Sequence, residues 1–313
     1  MIEFRYEIVS PRIAELREWY FQEDIPIRSS RLKVEIPKPF KFIYLFQGNQ
    51  QLNQIETEDR AIDFRGSKVT KVKDNVYQMT NVPALKTENF ITSINDHRAR
   101  LRFQLKEIQF PGGNTINYLS NWKEVSNRLL EKDNFGQQFT DELLFSEWIN
   151  PATSKIISAN ISDRDKAAAF YQYISKTIKW NKRYDFLVST SLNDVFLNKT
   201  GNSGEINLAY LTLLRQAGIT ANPVLLSTRS HGRMIKTNPI TGQFNHVIIS
   251  AILDDETTLL DVGASTKTMD FPQINSLNKS GWLLDPNTPQ WIDIEPSINI
   301  YPVAITSRGL SLI

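Results

Sequence analysis

Three side chains able to run acyl-transfer chemistry together occur in one stretch: Ser203, His246 and Asp261. Ser203 lies in Gly201-Asn202-Ser203-Gly204-Glu205-Ile206-Asn207, directly after a glycine and ahead of the helical pattern Leu208, Leu211, Leu214. At a helix N-terminus the backbone N–H groups are unpaired and the dipole favours negative charge. The position suits a nucleophile or an oxyanion, and equally the plain N-cap role that serine commonly fills. His246, one of only three histidines, opens the apolar run that continues to Ile252, and Asp261 closes the next run. The intervals are 43 and 15 residues. Two adjacent antiparallel strands can set His246 beside Asp261 with a helix start facing both, which is a nucleophile, base and orienter arrangement.

Other polar residues have smaller roles open to them. Glu205 can balance the first helical turn electrostatically. Asn207 can bond across to the segment carrying His246. His231 lies between Arg229 and Arg233 in a polar loop, where the three could draw a carboxylate to a cleft rim or simply be solvated. His97 follows Asn95 and Asp96 in a turn. The histidines are widely separated, and the chain has no cysteine. Thiolate metal sites, disulfides and cysteine nucleophiles are therefore excluded, and no zinc site is indicated. Neither a P-loop nor a dinucleotide fingerprint occurs, so no cofactor is implied.

The elements that must position these residues divide the chain. Residues 1–113 read as an antiparallel β domain. Ile2, Phe4, Tyr6 and Ile8 alternate with charges, as do Leu32, Val34 and Ile36, and further runs occupy 40–44, 76–80 and 101–105. Trp19-Tyr20-Phe21 reads as core filling, with a ligand platform as the other use of such a cluster. Residues 114–150 read as a helical connector. Tyr118, Trp122, Val125 and Leu129 share one helical face, and a second short helix is expected over Asp141 to Trp148. From 151 to 313 the pattern is mixed, with a helix capped at Ser162, short and long helices near 192–197 and 203–217, and strands over 223–227, 244–252 and 257–261. The fold class is α+β.

With 313 residues, 41% hydrophobic and 22% charged, the composition is that of a globular chain long enough for two domains. The net charge of +2 and the lack of like-charge runs argue against nucleic acid as a partner. No apolar stretch reaches the length of a transmembrane segment. A chain whose second residue already stands in a strand pattern reads as a segment of a longer protein.

Residues from about Ile161 to Asp261 resemble a bacterial transglutaminase-like domain of the papain-like superfamily. The resemblance rests on the glycine–nucleophile–glutamate element at the helix start, on Leu213 to Ile219, on Pro223 to Arg229, and on Phe244-Asn245-His246 and Leu260-Asp261. Trp19-Tyr20-Phe21-Gln22, Ile91-Thr92-Ser93-Ile94 and Phe110-Pro111-Gly112 are similar to the β domain that precedes this core in Bacteroidetes-type exported proteins, which implies a periplasmic or cell-envelope setting. The resemblance implies His246 and Asp261 in the triad, with Ser203 where active members carry cysteine. It also offers Trp180, an indole N–H donor, for the oxyanion, with packing as its commoner use, and places Asn207 in the cleft. Cysteine works there because a thiol near pKa ~8.5 can be lowered to a thiolate. A helix terminus contributes about 0.3–2 kcal/mol, too little to make an alkoxide from serine near neutral pH. The expectation is a non-catalytic protein that binds a peptide, glycan or protein partner in its cleft. The alternative is a serine-dependent acyl hydrolase, amidase or peptidase in which His246 removes the proton in concert.

Overall fold

The computed structural model describes residues 2–9, 16–56, 60–64, 67–88, 91, 93–110, 112–118, 121–140, 151–263, 268–269 and 271–294. The chain opens with eight strands: β1 (Trp19–Tyr20), β2 (Ile27–Pro37), β3 (Phe40–Gln47), β4 (Asn53–Glu56), β5 (Arg60–Phe64), β6 (Ser67–Val82), β7 (Arg100–Gln109) and β8 (Thr115–Asn117). They form two antiparallel sheets. One has the order β1-β7-β3, with β8 also on β7; the other has β2-β6-β4, with β5 also on β6. Strand alternation turns Val34, Tyr77 and Met79 of one sheet toward Leu101 and Phe103 of the other, around a fully buried Phe21. Phe21 thus fills the core, while Trp19 and Tyr20 are half-buried beside it and the Trp19 indole N–H donates to Ser30 Oγ at 3.1 Å.

The alternation at the N-terminus does not become a strand. Residues 2–9 pair with no sheet, and Phe4 is 77% exposed, because a period-2 pattern specifies a strand only where an edge accepts it. The first sheet also continues past Gly113, since β8 pairs with β7.

Helix α1 (Trp122–Leu130) starts later than the apolar spacing suggests. Asn121 is its N-cap, accepting from the Glu124 N–H at 2.9 Å, and Tyr118 lies outside, its N–H donating to Lys106 O. Val125 and Leu129 point into the core of the second half. The expected helix over 141–148 lies outside the described residues.

The second half contains α2 (Pro151–Ile157), α3 (Asp163–Thr177), β9 (Lys179–Trp180), α4 (Leu192–Asn198), β10 (Thr200–Gly201), α5 (Ser203–Gln216), β11 (Ala221–Leu226), β12 (His246–Leu253), β13 (Glu256–Leu260), β14 (Ser280–Leu283) and β15 (Gln290–Asp293). Five strands make an antiparallel sheet in the order β13-β12-β11-β14-β15, and β9 pairs in parallel with β10. α3 begins at Ser162, whose Oγ accepts from the Asp165 N–H at 3.1 Å. α5 is buried on every side from Ser203 to Leu214, which is why its sequence is apolar almost all round. It ends where Gly218 takes φ +80°, the Ile219 N–H bonding Leu214 O and the Gly218 N–H bonding Arg215 O, a Schellman closure. No described helix is long and apolar enough to cross a membrane.

The two halves meet through the loop after β11. Asn95 Nδ2 donates to Ser230 O at 3.0 Å, and Asp96 accepts from the Arg233 N–H at 2.5 Å while pairing with its guanidinium at 3.3 Å. The loop is thus anchored rather than merely solvated. Burial pushes the His231 imidazole below its ordinary value, and the nearby Arg100 adds to this; Glu18 and the Gly242 backbone oppose it. A histidine held neutral by burial lets the unfolded chain take up the proton first. Stability is therefore unaffected above about pH 6.5 and falls as pH drops below it. His231→Gln is expected to flatten that acid limb, read as a smaller change in urea midpoint between about pH 6.5 and 5 than in the parent.

Candidate active site

The helix start that carries Ser203 is capped by its neighbour. Asn202 is the N-cap, its side chain accepting from the Glu205 N–H at 2.8 Å, while Glu205 Oε2 accepts from the Asn202 N–H at 2.6 Å. Glu205 Oε1 holds the Ser189 N–H and hydroxyl at 2.8 and 2.5 Å. Because Asn202 does the capping, the Ser203 hydroxyl faces the sheet.

There it meets His246, the first residue of β12, with Oγ 2.9 Å from Nδ1. His246 Nε2 lies 3.4 Å from Asp261 Oδ2, and Asp261 sits one residue beyond the end of β13. The carboxylate assigns the proton to Nε2, which leaves Nδ1 to accept from the serine hydroxyl. Asp261 is itself held by donors: Oδ1 accepts from Asn207 Nδ2 at 2.9 Å and from the Gly263 N–H at 3.0 Å, and Oδ2 accepts from the Ser276 hydroxyl at 3.3 Å. All three expected residues thus converge, each 0% exposed.

Asn207 knits the site. One turn along α5 from Ser203, its Nδ2 lies within 3.3 Å of Ser203 O and 2.9 Å of Val247 O, while its Oδ1 accepts from the Val262 N–H at 2.9 Å. The side chain joins the helix of Ser203, the strand of His246 and the segment of Asp261, so it holds these three residues in place. Its donors face these carbonyls and Asp261, and none is turned toward a space where an oxyanion could form.

The segment between β9 and α4 closes the site. Lys182 takes φ 68°, a left-handed conformation. Beyond it, Arg183 O accepts two hydrogen bonds, from the Ser203 N–H at 3.0 Å and from the Trp180 indole N–H at 3.0 Å. Trp180 therefore spends its only donor on the main chain. The Asp185 backbone lies 3.4 Å from Ser203 Oγ through both its N–H and its carbonyl. Tyr184 packs edge-on against His246, ring centroids 5.4 Å apart, and its hydroxyl donates to Gln273 at 3.1 Å. Gly204 permits this closure, since a Cβ there would stand 2.4 Å from Asp185 O. Arg183, Asp185, Gln273 and Ser276 carry no motif and are not legible in the sequence, whereas the aromatic Tyr184 stands out beside Trp180 ahead of Ser203; a carbonyl's destination is not encoded in residue type. Among the described residues, no group of three histidine, aspartate or glutamate side chains is placed to hold a metal.

Comparison with known proteins bears on the fold of this half. Residues 151–257 match the model of the transglutaminase-like superfamily, and the chain carries a transglutaminase-like domain. A crystal structure of a candidate protease from Parabacteroides distasonis ATCC 8503 superposes with a TM-score of 0.60 at 12% identity, over 89% of this chain and 47% of that one. This chain thus spans about half the length of that protein. A candidate cysteine protease from Cytophaga hutchinsonii gives a TM-score of 0.30 at 11% identity, over 80% of each chain. No curated protein sequence matches. The likeness to the Parabacteroides structure is one of fold, and supports the mixed α+β architecture.

Proposed function

We propose that this chain is a non-catalytic transglutaminase-like protein, retained for binding or assembly, with Ser203 in the nucleophile position. The observation that carries the reading is the Arg183 carbonyl. An acyl-transfer site must offer N–H donors to the oxygen that becomes negative, and removing one such donor typically costs 10²–10³ in rate. Here the Ser203 N–H and the Trp180 indole N–H are both bonded to Arg183 O, and the Asp185 N–H reaches Ser203 Oγ at 3.4 Å only together with its own carbonyl at the same distance. The hydroxyl they would serve has no solvent exposure and is far less acidic than a thiol. Partners would be a peptide, a glycan or another protein.

The 2.9 Å contact between Ser203 Oγ and His246 Nδ1 favours a second reading, a serine-dependent acyl hydrolase in which residues 183–185 first leave the site. Intact-mass analysis after treatment with a fluorophosphonate separates the two. The parent is expected to remain unlabelled at Ser203. An adduct that Ser203→Ala abolishes would overturn the non-catalytic reading in favour of the hydrolase.

A further inference from the structure

Five cations collect beside the closed site. Lys176 lies in the last turn of α3, Lys179 stands on β9, Lys182 and Arg183 follow in the segment that meets Ser203, and Lys199 ends α4; all five are exposed. The parallel pairing of β9 with β10 brings the last of them to the others, the Lys179 N–H donating to Lys199 O at 2.9 Å. None of the five forms an ion pair with a described carboxylate. The carboxylates closest in sequence are engaged elsewhere: Asp185 Oδ1 accepts from the Leu187 N–H at 3.0 Å, Asp194 Oδ2 accepts from the Ser191 hydroxyl at 2.8 Å, and Glu205 serves Ser189 and Asn202.

A stable surface interleaves the two signs, because like charges on adjoining strands repel. Lys176 and Lys199 close helices, where the dipole favours a cation. Lys179, Lys182 and Arg183 lie outside any helix and have no such reason to gather.

The main chain selects the occupant. The ladder takes the N–H of Lys179 and of Asn181, so the Trp180 N–H and carbonyl between them face the opposite edge of β9, where no described residue bonds them. An edge with a free donor and acceptor is where another backbone can pair. A polypeptide offers that match, whereas a polysaccharide or nucleic acid has no alternating N–H and C=O. The rings of Trp180 and Tyr184, half-buried and 5.3 Å apart, add apolar surface beside the edge.

We infer that this face docks an acidic, extended polypeptide segment, its carboxylates against the five cations and its backbone on the edge of β9. The inference rests on the binding reading above and names the partner's chemistry.

Fluorescence anisotropy tests it with a fluorescein-labelled decapeptide in which glutamate alternates with threonine around one central leucine. Saturable binding is expected in about 20 mM salt with Kd on the order of 100 μM, weakening at least about tenfold in about 200 mM salt. The glutamine analogue is expected to bind at least about tenfold more weakly. Lys179→Glu and Lys199→Glu, at exposed positions without ion pairs, are expected to fold as the parent does and each to raise Kd about fivefold. Lys106→Glu, the same charge change at an exposed position of the β domain, is expected to alter Kd less than about twofold. Polygalacturonate and polyuridylate are anionic without a peptide backbone, and are expected to displace the labelled peptide only at a charge concentration at least about tenfold higher. No saturable binding, equal binding of the glutamine analogue, or an effect of Lys106→Glu matching that of Lys179→Glu and Lys199→Glu would overturn the inference. Displacement by either polymer at equal charge would overturn the assignment to a polypeptide. Fluorophosphonate treatment keeps the two readings apart. An adduct at Ser203 with peptide binding intact overturns the non-catalytic reading alone, and absence of both adduct and binding overturns the docking alone.

Discussion

Asn207→Leu is expected to destabilise the chain by about 4 kcal/mol or more, roughly a thousandfold in the folding equilibrium. Leucine has nearly the same volume, so the loss is in hydrogen bonding. Asn207 is 0% exposed and bonds Ser203 O, Val247 O, Asp261 Oδ1 and the Val262 N–H. Removing the amide leaves the Val262 N–H and two carbonyls buried without this partner, each costing about 1–3 kcal/mol, with less than full additivity. A chain of ordinary stability, about 5–15 kcal/mol, would lose a large part of it. The readout is a lower urea midpoint at unchanged slope. Asn207→Asp separates hydrogen bonding from packing. It keeps an acceptor for Val262 but turns a carboxylate oxygen toward Asp261 Oδ1, now 2.9 Å from the amide nitrogen. Protonation of the new carboxyl would restore a donor, so its folded pKa is raised and the deficit is expected to shrink as pH falls. A deficit independent of pH would remove the like-charge argument.

Gly204→Ala is expected to cost about 1–3 kcal/mol and to loosen the segment over Ser203. The added Cβ would stand 2.4 Å from Asp185 O and 2.9 Å from Phe186 Cα, both main-chain atoms that cannot rotate away. Helix propensity alone would make alanine the better residue, by about 1 kcal/mol. The sign of the measured change therefore reports whether the segment is seated as described. Displacing residues 185 and 186 pulls on Arg183, whose carbonyl holds the Ser203 and Trp180 N–H groups. Hydrogen exchange at the Ser203 amide is expected to accelerate more than at Leu211 in the middle of the same helix. Uniform acceleration along α5 would indicate global destabilisation only, and a stabilised variant would mean that the segment does not sit against Gly204.

The elements were legible where local chemistry decides them. The start of α5 followed from Gly201 to Glu205 and its end from Gly218, because caps and left-handed closures are short-range events. The strands carrying His246 and preceding Asp261 followed from apolar runs, and their antiparallel pairing brings the two residues to one place. Local pattern misled at Ile2 to Ile8, where alternation promised a strand that finds no partner, and at Tyr118, where apolar spacing continues outside the cap set by Asn121.

Residue types and their order thus determined the α+β fold class, the helix that bears Ser203, and the candidate triad. They also determined that position 203 holds a hydroxyl rather than a thiol, which sets its acidity wherever the chain folds. Tertiary structure alone decided that Asn202 rather than Ser203 caps the helix, that Asn207 ties three elements together, and that Arg183 O takes the Ser203 and Trp180 N–H donors. The reason is physical. Side-chain chemistry is written in the sequence one residue at a time, whereas the partner of a backbone N–H or carbonyl is chosen by whichever segments packing brings within about 3 Å, and every residue offers the same two groups.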